Sequence, residues 1–138
     1  MVNFENIPVF IESHNPENEC ILSGLAHRLT DSVQVLNSDK RKLLHVTAVF
    51  ACNFVNHFYS IAADLSGSEN ISFDVLKPLI METALKVQEI DPVEAQTGPA
   101  IRFDTNIIND HLDQLKNFPR YQELYNSISK SIFETHKK

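Results

Sequence analysis

The stretch "LLHVTAVFACNFVNHFYSIAA" (residues 43–63) decides the fold, because its 21 residues include no charged side chain. A segment of this length is long enough to span a bilayer as a helix. It also carries four strongly polar side chains, those of His45, Asn53, Asn56 and His57. Each of them is costly in hydrocarbon, so the stretch predicts a long helix inside a protein rather than a membrane span.

The apolar and polar side chains of this stretch fall on opposite faces of a helix that turns by about 100° per residue. Phe50, Phe54 and Phe58 belong to the apolar face, and His45 and Asn53 belong to the polar face. Solvated helix faces usually carry Lys and Glu, which the polar face lacks. We therefore expect a central helix that is buried on most sides. Its polar face is then either a satisfied hydrogen-bond network or a binding surface.

The segments before residue 38 predict a β-α-β unit. Strands are expected at 7–12 and 32–37, with a helix between them that Asn15 caps and Pro16 begins. Such strands are parallel, and a parallel pair normally belongs to a larger sheet.

From Ser38 onward the pattern is helical. Ser38 is the predicted cap of the long helix, which Gly67 ends, and Ser72 is the predicted cap of the next helix, which Pro78 kinks. The predicted fold class is mainly α, a helical bundle of about four long helices preceded by one β-α-β unit. The remaining predicted elements are a loop at 91–104 and two amphipathic helices at 105–117 and 120–136. Two domains are predicted, at 1–37 and 38–138.

Composition restricts the class of partner. The formal net charge of -6 argues against nucleic acid, which binds basic faces. Cys20 and Cys52 have no metal-ligand spacing and fit a reducing compartment, so we expect a cytoplasmic protein without a membrane or nucleic-acid partner. The three glycines cannot form a G-x-G-x-x-G or a P-loop, so we expect no cofactor-binding site in this chain.

Four motifs carry a family resemblance. They are "HVTAVFACNFVNHFYSIA", "FDVLKPLIMETALKV", "AQTGPAIRFD" and "HLDQL". Together they resemble the helical C-terminal region of a family of Rossmann-like oxidoreductases related to pyrroline-5-carboxylate reductase and 6-phosphogluconate dehydrogenase. The resemblance covers nearly the whole chain, and the helix from His45 to Asn53 and the "TGPAIRFD" loop are its most specific parts.

The resemblance implies a two-domain, NAD(P)-dependent enzyme. A Rossmann domain comes first, and a helical domain then forms a homodimer and helps to enclose a small-molecule substrate. The β-α-β unit corresponds to the end of the Rossmann sheet. Because the glycine fingerprint is absent here, we expect NADP or NAD to be bound by a preceding segment of a longer parent. We expect this chain alone to bind neither cofactor and to be inactive.

His45 and Asn53 are the candidate catalytic residues, and Asn56 is a candidate substrate-binding residue. His45 and Asn53 lie two helical turns apart, and the resemblance implies that such a polar pair orients the substrate and handles its proton. Imidazole suits that role because it titrates near neutrality. The alternative is a structural role, in which these side chains hydrogen-bond neighbouring helices.

The segment "QTGPAIR" (96–102) supplies the other candidates for substrate binding, Thr97, Gly98 and Arg102. Gly98 permits a positive φ, Thr97 offers a hydroxyl, and Arg102 can bind a carboxylate or phosphate. The alternative is a rigid connection between helices, with Arg102 paired to Asp104 or another acid.

Two further interpretations concern metals and partners. His45, His57 and His111 lack the local spacing of a metal site, so no metal is predicted. As an alternative to the enzyme domain, the chain is a helical interaction and dimerisation module without catalysis of its own.

Overall fold

The computed structural model describes residues 4–137 and confirms the predicted fold class, a mainly helical chain in which a β-α-β unit with two parallel strands precedes several helices. Internal contacts divide the chain between Tyr59 and Ser60. We describe each of the two units by itself. The domain boundary predicted after residue 37 stays a prediction.

The β-α-β unit consists of β1 (Val9–Ile11), α1 (Pro16–Ala26) and β2 (Val33–Val35). The strands pair in parallel, with Val9 opposite Val33 and Ile11 opposite Val35. The predicted start of α1 is confirmed, because the Asn15 side chain accepts a hydrogen bond from the Asn18 N–H at 2.7 Å and Pro16 follows in the first turn.

The first unit has a small core and an uncovered apolar helix face. Ile11, Ala26 and Thr30 are buried. The Thr30 hydroxyl donates to the Glu5 carbonyl at 3.1 Å and accepts from the Ser32 N–H at 3.1 Å, which fixes the chain where it enters β2. The side chains of Ile21 and Leu25 on α1, and of Leu29 in the turn that follows it, stay exposed. That exposure fits a β-α-β unit that packs on further sheet, which stays a prediction.

The long helix runs without a break over Ser38–Ser68. It consists of α2 (Ser38–Ala48), a π-helical segment (Val49–Phe54) and α3 (Val55–Ser68). The prediction that Ser38 caps this helix is wrong. The preceding residue, Asn37, is the cap, because its side chain accepts the hydrogen bond from the Lys40 N–H at 3.0 Å. Gly67 lies inside the last turn instead of ending the helix.

Glu12, one residue beyond β1, anchors the start of this helix. Its carboxylate accepts the Ser38 N–H at 2.8 Å and the Ser38 hydroxyl at 2.7 Å, and it pairs with Arg41. The Ser38 hydroxyl, followed by the Ser38 N–H and Arg41, holds the pKa of the Glu12 carboxyl below its usual value, although burial acts in the opposite direction. The Ser38 side chain is therefore hydrogen-bonded to Glu12, which explains why Asn37 and not Ser38 caps the helix.

By length and composition, the helix Ser38–Ser68 is also the candidate membrane span within residues 4–137. This criterion is weak for a single helix, because core helices of soluble proteins meet it as well. The polar side chains of His45, Asn53, Asn56 and His57 argue against a hydrocarbon environment.

The second unit continues with four further helices. A 3-10 turn (Phe73–Leu76) precedes α4 (Lys77–Glu89), and the other helices are α5 (Pro92–Ala95), α6 (Thr105–Gln114) and α7 (Pro119–His136). The kink predicted at Pro78 is wrong, because Pro78 lies in the first turn of α4, where a missing N–H costs no helical hydrogen bond. Ser72 caps the 3-10 turn rather than the helix itself.

Contacts between α6 and α7 organise the second unit. The His111 ring bonds the Tyr125 hydroxyl at 2.8 Å, and the Gln122 amide donates to the Leu112 carbonyl at 2.7 Å. Ile61, Ala100, Ile108 and Ser129 are buried. Since Ala100 belongs to the loop between α5 and α6, part of that loop is packed into the core.

Candidate functional site

The polar face of the long helix is exposed in this chain. His45, Asn53, Asn56 and His57 are all exposed. The opposite face is exposed too, with 65% of Phe50 and 45% of Phe54 accessible. The expectation that this helix is buried on most sides is therefore wrong for the described chain. Both faces are open around Phe50 and Phe54, and the helix enters a core further on, at Ile61.

The π-helical segment changes the arrangement of the candidate residues. Asn53 lies within it, whereas His45 precedes it and Asn56 follows it. A turn closed by i→i+5 bonds holds one more residue than an α-helical turn. Residues beyond the segment are therefore rotated by about 100° relative to a uniform α-helix. This rotation brings His57, rather than Asn56, into phase with His45.

Sequence analysis missed the π-helical segment because a helical wheel assumes one constant rotation per residue. Such segments are rare and occur mostly as single turns inside α-helices, frequently at functional sites. Its position at Asn53 supports a functional role for this stretch of helix.

The connector, residues 90–104, carries the other candidates. Gly98 has a φ of 106°, which confirms the positive φ that its sequence context suggested. Phe103 has a φ of 49°, which is uncommon for a bulky residue and is found where surrounding contacts impose it. Here the Phe103 ring packs on Phe133 of α7, with ring centroids 4.7 Å apart. The Asp104 N–H also donates to the Pro99 carbonyl at 3.0 Å.

Thr97, Gly98 and Arg102 are exposed on this connector. Asp104 caps α6 by accepting the Ile107 N–H at 3.4 Å, and no ion pair between Arg102 and Asp104 is formed within residues 4–137. Among residues 4–137, the ion pairs do not include Arg102. Its guanidinium is thus available to an external anion.

A cleft of about 370 Å³ lies between α4 and the start of the connector. Thr97 is in its wall, together with Lys86, whose ammonium donates to the Ala95 carbonyl at 3.2 Å. Sequence analysis did not single out Lys86. The available signal was a lysine in the last turn of a helix, where basic side chains often bind carbonyls. The cleft is lined by Glu82, Thr83, Lys86, Val87, Pro92, Ala95, Gln96 and Thr97.

The lining suits a small polar molecule, because ammonium, carboxylate, hydroxyl and amide groups converge on a partly apolar wall. Among these residues, Thr97 is the predicted one. His45, Asn53 and Asn56 belong to the first unit of the chain, and Thr97, Gly98 and Arg102 belong to the second.

The histidines considered for metal binding have other positions. His111 bonds Tyr125 and packs edge-on against its ring, with centroids 5.6 Å apart. His45 and His57 lie on the long helix. Over the part of the chain that the structure describes, no three His, Cys, Asp or Glu side chains are grouped to hold a metal ion.

Comparisons with known proteins give a family and two solved structures. The model of the family described as "Domain of unknown function (DUF2520)" matches residues 7–132. A crystal structure from Bacteroides fragilis, described as "putative NADP oxidoreductase BF3122", is 49% identical, with a TM-score of 0.93 over 96% of this chain and 51% of that one. No curated protein matches.

A second solved structure, protein TM1727 from Thermotoga maritima, is 19% identical, with a TM-score of 0.80 over 97% of this chain and 55% of that one. At that identity the likeness shows the fold alone. The chain thus spans about half the length of each of these two structures.

Proposed function

Because the chain belongs to the DUF2520 family and is similar to a protein described as an NADP oxidoreductase, we propose that it is the helical C-terminal region of an NAD(P)-dependent oxidoreductase. In this proposal it supplies the dimer contact and part of the cleft for a small-molecule substrate. The observation that carries the proposal is the long helix, which exposes an uncharged polar face interrupted by a π-helical segment.

The cofactor belongs to another part of the longer protein. In this chain, Gly24 and Gly67 lie within helices, and Gly98 lies in the connector. None of them forms a glycine-rich turn between a strand and a helix, which a dinucleotide phosphate requires. The residues present here therefore do not fit NADP or NAD, and no step of the reaction is assigned to the cofactor on this chain.

In this proposal, His45 donates a proton to the substrate and Asn53 orients the group that receives it. Reduction of a C=O or C=N bond requires a proton at the heteroatom, and a histidine near neutrality can donate it. Asn53, held in the π-helical segment, orients the same group by hydrogen bonding. Asn56 is assigned to substrate binding with less support, because the π-helical rotation removes it from phase with His45.

Thr97, Gly98 and Arg102 serve substrate binding. Arg102 is exposed and lies outside the ion pairs of residues 4–137, so it suits a carboxylate or phosphate on the substrate. Thr97 contributes a hydroxyl in the wall of the Lys86 cleft. The positive φ of Gly98 sets the path of the chain between them.

The apolar face of the long helix is the proposed homodimer contact. Phe50 and Phe54 are largely exposed and stack edge to face, with centroids 4.9 Å apart. Exposed aromatic side chains in a row are typical of an interaction surface. A homodimer covers them with the same face of a second chain, which also fits a cytoplasmic protein.

The same exposed face favours a second candidate function, a dimerisation module without catalysis. In that case the polar face has no chemical task, and His45 and Asn53 can be replaced without any effect on turnover by the longer protein.

Two measurements test the proposal. We expect the purified chain to sediment as a dimer at micromolar concentration, and a Phe50→Glu, Phe54→Glu double variant to sediment as a monomer of 15.7 kDa. Val35→Glu, at an exposed apolar position on β2, is the control and should stay dimeric. A monomeric wild-type chain would contradict the dimer.

The second measurement follows NADPH fluorescence. We expect saturable binding by a protein that includes the preceding segment and none by this chain alone. Binding by this chain at micromolar NADPH would contradict the proposed division of labour.

A further inference from the structure

His136, in the last turn of α7, has a carbonyl oxygen next to each ring nitrogen. Nδ1 lies 2.8 Å from the Ile132 carbonyl oxygen, and Nε2 lies 3.0 Å from the Val93 carbonyl oxygen. A carbonyl oxygen only accepts hydrogen bonds, so both nitrogens must carry a proton for both bonds to form. A neutral imidazole has one N–H, whereas the imidazolium has two. The two bonds are therefore made together only by the charged form.

We propose that protonated His136 is a positioning residue for the connector, and that loss of the Nε2 proton releases Val93, because Nδ1, which has the shorter contact to a carbonyl, keeps the one remaining proton. The inference rests on the proposed function, because Thr97 and Arg102, the proposed substrate-binding residues, are on this connector. His136 itself is assigned no contact with the substrate.

Val93 is a sensitive point of attachment. It belongs to α5, which has four residues and is too short to be stable by itself. Besides the local Asp91 cap, donors from two longer helices hold its carbonyls, since Lys86 of α4 binds Ala95 and His136 of α7 binds Val93. Three residues before His136, Phe133 packs against Phe103 at the other end of the connector. The end of α7 thus holds the connector on both sides of Thr97 and Arg102.

Charged side chains on the packed elements include Arg102 and Asp104, which flank Phe103 on the connector. Asp91 and Glu94 are on α5, Lys86 is on α4, and Glu134 and Lys137 are next to His136 along the chain. The Val93 carbonyl, and then the Ile132 carbonyl, raise the pKa of His136 above 6.5, and burial opposes them. Because the folded-state pKa is raised, the hold is complete below pH 6.5 and is lost as the pH rises through that folded-state value.

His27, the residue that follows α1, provides a control. Its Nδ1 lies 2.8 Å from the Ser23 carbonyl oxygen, which is the same bond to the preceding turn that His136 makes with Ile132. Over the described part of the chain, no second carbonyl meets the Nε2 of His27. The Nδ1 of His27 also lies 3.3 Å from the Ser23 hydroxyl, so the comparison uses Nε2, the nitrogen that meets Val93 in His136.

The experiment is a pH titration of the whole chain by NMR, following the imidazole nitrogens of His27 and His136 and the amide signals of Val93, Thr97 and Arg102. We expect both nitrogens of His136 to be protonated at pH 6, and the three amide signals to shift with the same midpoint as His136. His27→Gln should leave this transition unchanged.

Two variants fix the connector in each state. His136→Leu removes the titration and both ring donors, and it should hold the three amide signals near their high-pH positions at every pH. His136→Lys keeps a cationic donor and should hold them near their low-pH positions up to about pH 9. A neutral His136 at pH 6, or amide signals that ignore its titration, would overturn the proposal.

The wild-type titration needs no variant, so a variant that fails to fold does not prevent the test. It also needs no substrate or cofactor. A negative result therefore leaves the oxidoreductase proposal intact, and a failure of that proposal leaves the measured hold of α7 on the connector intact. If both hold, the KM of the longer enzyme rises with the same midpoint while kcat changes less.

Discussion

The long helix Ser38–Ser68 and the connector 90–104 both carry candidate site residues, but they acquire their shapes in different ways. The helix forms from a local pattern of side chains, and most of its polar candidates face solvent. The connector contains a single helical turn and two residues with positive φ. Its shape comes from Lys86, Phe133 and His136, which belong to the helices around it.

From this difference we expect changes on the long helix to affect the reaction, and changes at the connector to affect the positions of the residues next to them. A residue on the helix can be replaced with little effect on the fold, so such a change acts on function. A residue that fixes the connector acts on the position of its neighbours. The predictions below test that distinction, starting with the largest effect.

The first prediction concerns the helix. In the longer parent, we expect His45→Ala and Asn53→Ala to lower turnover, by roughly a hundredfold or more if His45 donates the proton. Because both side chains are exposed, the free energy of unfolding should change by no more than about 0.5 kcal/mol. Melting curves are measured first, and NADPH oxidation follows once a substrate is found.

His14→Ala is the control for this pair, since it removes an exposed histidine from the loop between β1 and α1. It should affect neither turnover nor melting. If His45→Ala and Asn53→Ala each cost several kcal/mol of stability, the two side chains are structural and the catalytic assignment should be dropped.

The sequence predicted the helix better than the connector for a physical reason. Periodic apolar residues and the Asn15–Pro16 start are local signals, so the β-α-β unit and the helices were found. The π-helical segment was missed because a uniform wheel cannot register an extra residue. Within the connector, the positive φ of Gly98 was predictable because the residue is a glycine. The positive φ of Phe103 instead depends on the ring of Phe133, which is 30 residues away in sequence.

Candidate residues show the same limit. Thr97 and Arg102 became candidates because the "QTGPAIR" pattern is local. Lys86 and His136 were not assigned roles near the connector, because their acceptors are nine and 43 residues away along the chain. Sequence patterns do not specify which distant carbonyl a basic side chain meets.

The second prediction compares one glycine from each region. Gly98→Ala should lower the free energy of unfolding by about 1–2 kcal/mol, because alanine is strained at a φ of 106° even though no atom blocks its methyl group. Gly67→Ala is the matched control in the last turn of the long helix, where the added methyl group also meets nothing. It should raise stability by about 0.5–1 kcal/mol.

Urea unfolding of both variants measures these changes. If the two changes in the free energy of unfolding have opposite signs, the helix position accepts any good helix former and the connector position needs a residue that adopts a positive φ. A stable Gly98→Ala variant would indicate that the connector adapts freely and does not fix the position of Thr97.

The last and smallest effect tests whether the helix is wholly local. Glu12 binds the Ser38 N–H and hydroxyl at the start of the helix, from 26 residues away. Since these bonds lower the pKa of Glu12, its contribution to stability is complete above its unfolded value of 4.5 and is lost as the pH falls through the folded-state value. We therefore expect the wild-type chain to lose stability below about pH 4.5 more steeply than Glu12→Gln, which retains one acceptor at all pH values.

Glu123→Gln, at an exposed position of α7, should follow the wild-type curve. The difference should be modest, because Glu12 is partly exposed and water screens its pairing with Arg41. Urea midpoints between about pH 3 and 7 measure it, and parallel curves for the wild type and Glu12→Gln would mean that Asn37 alone suffices to start the helix.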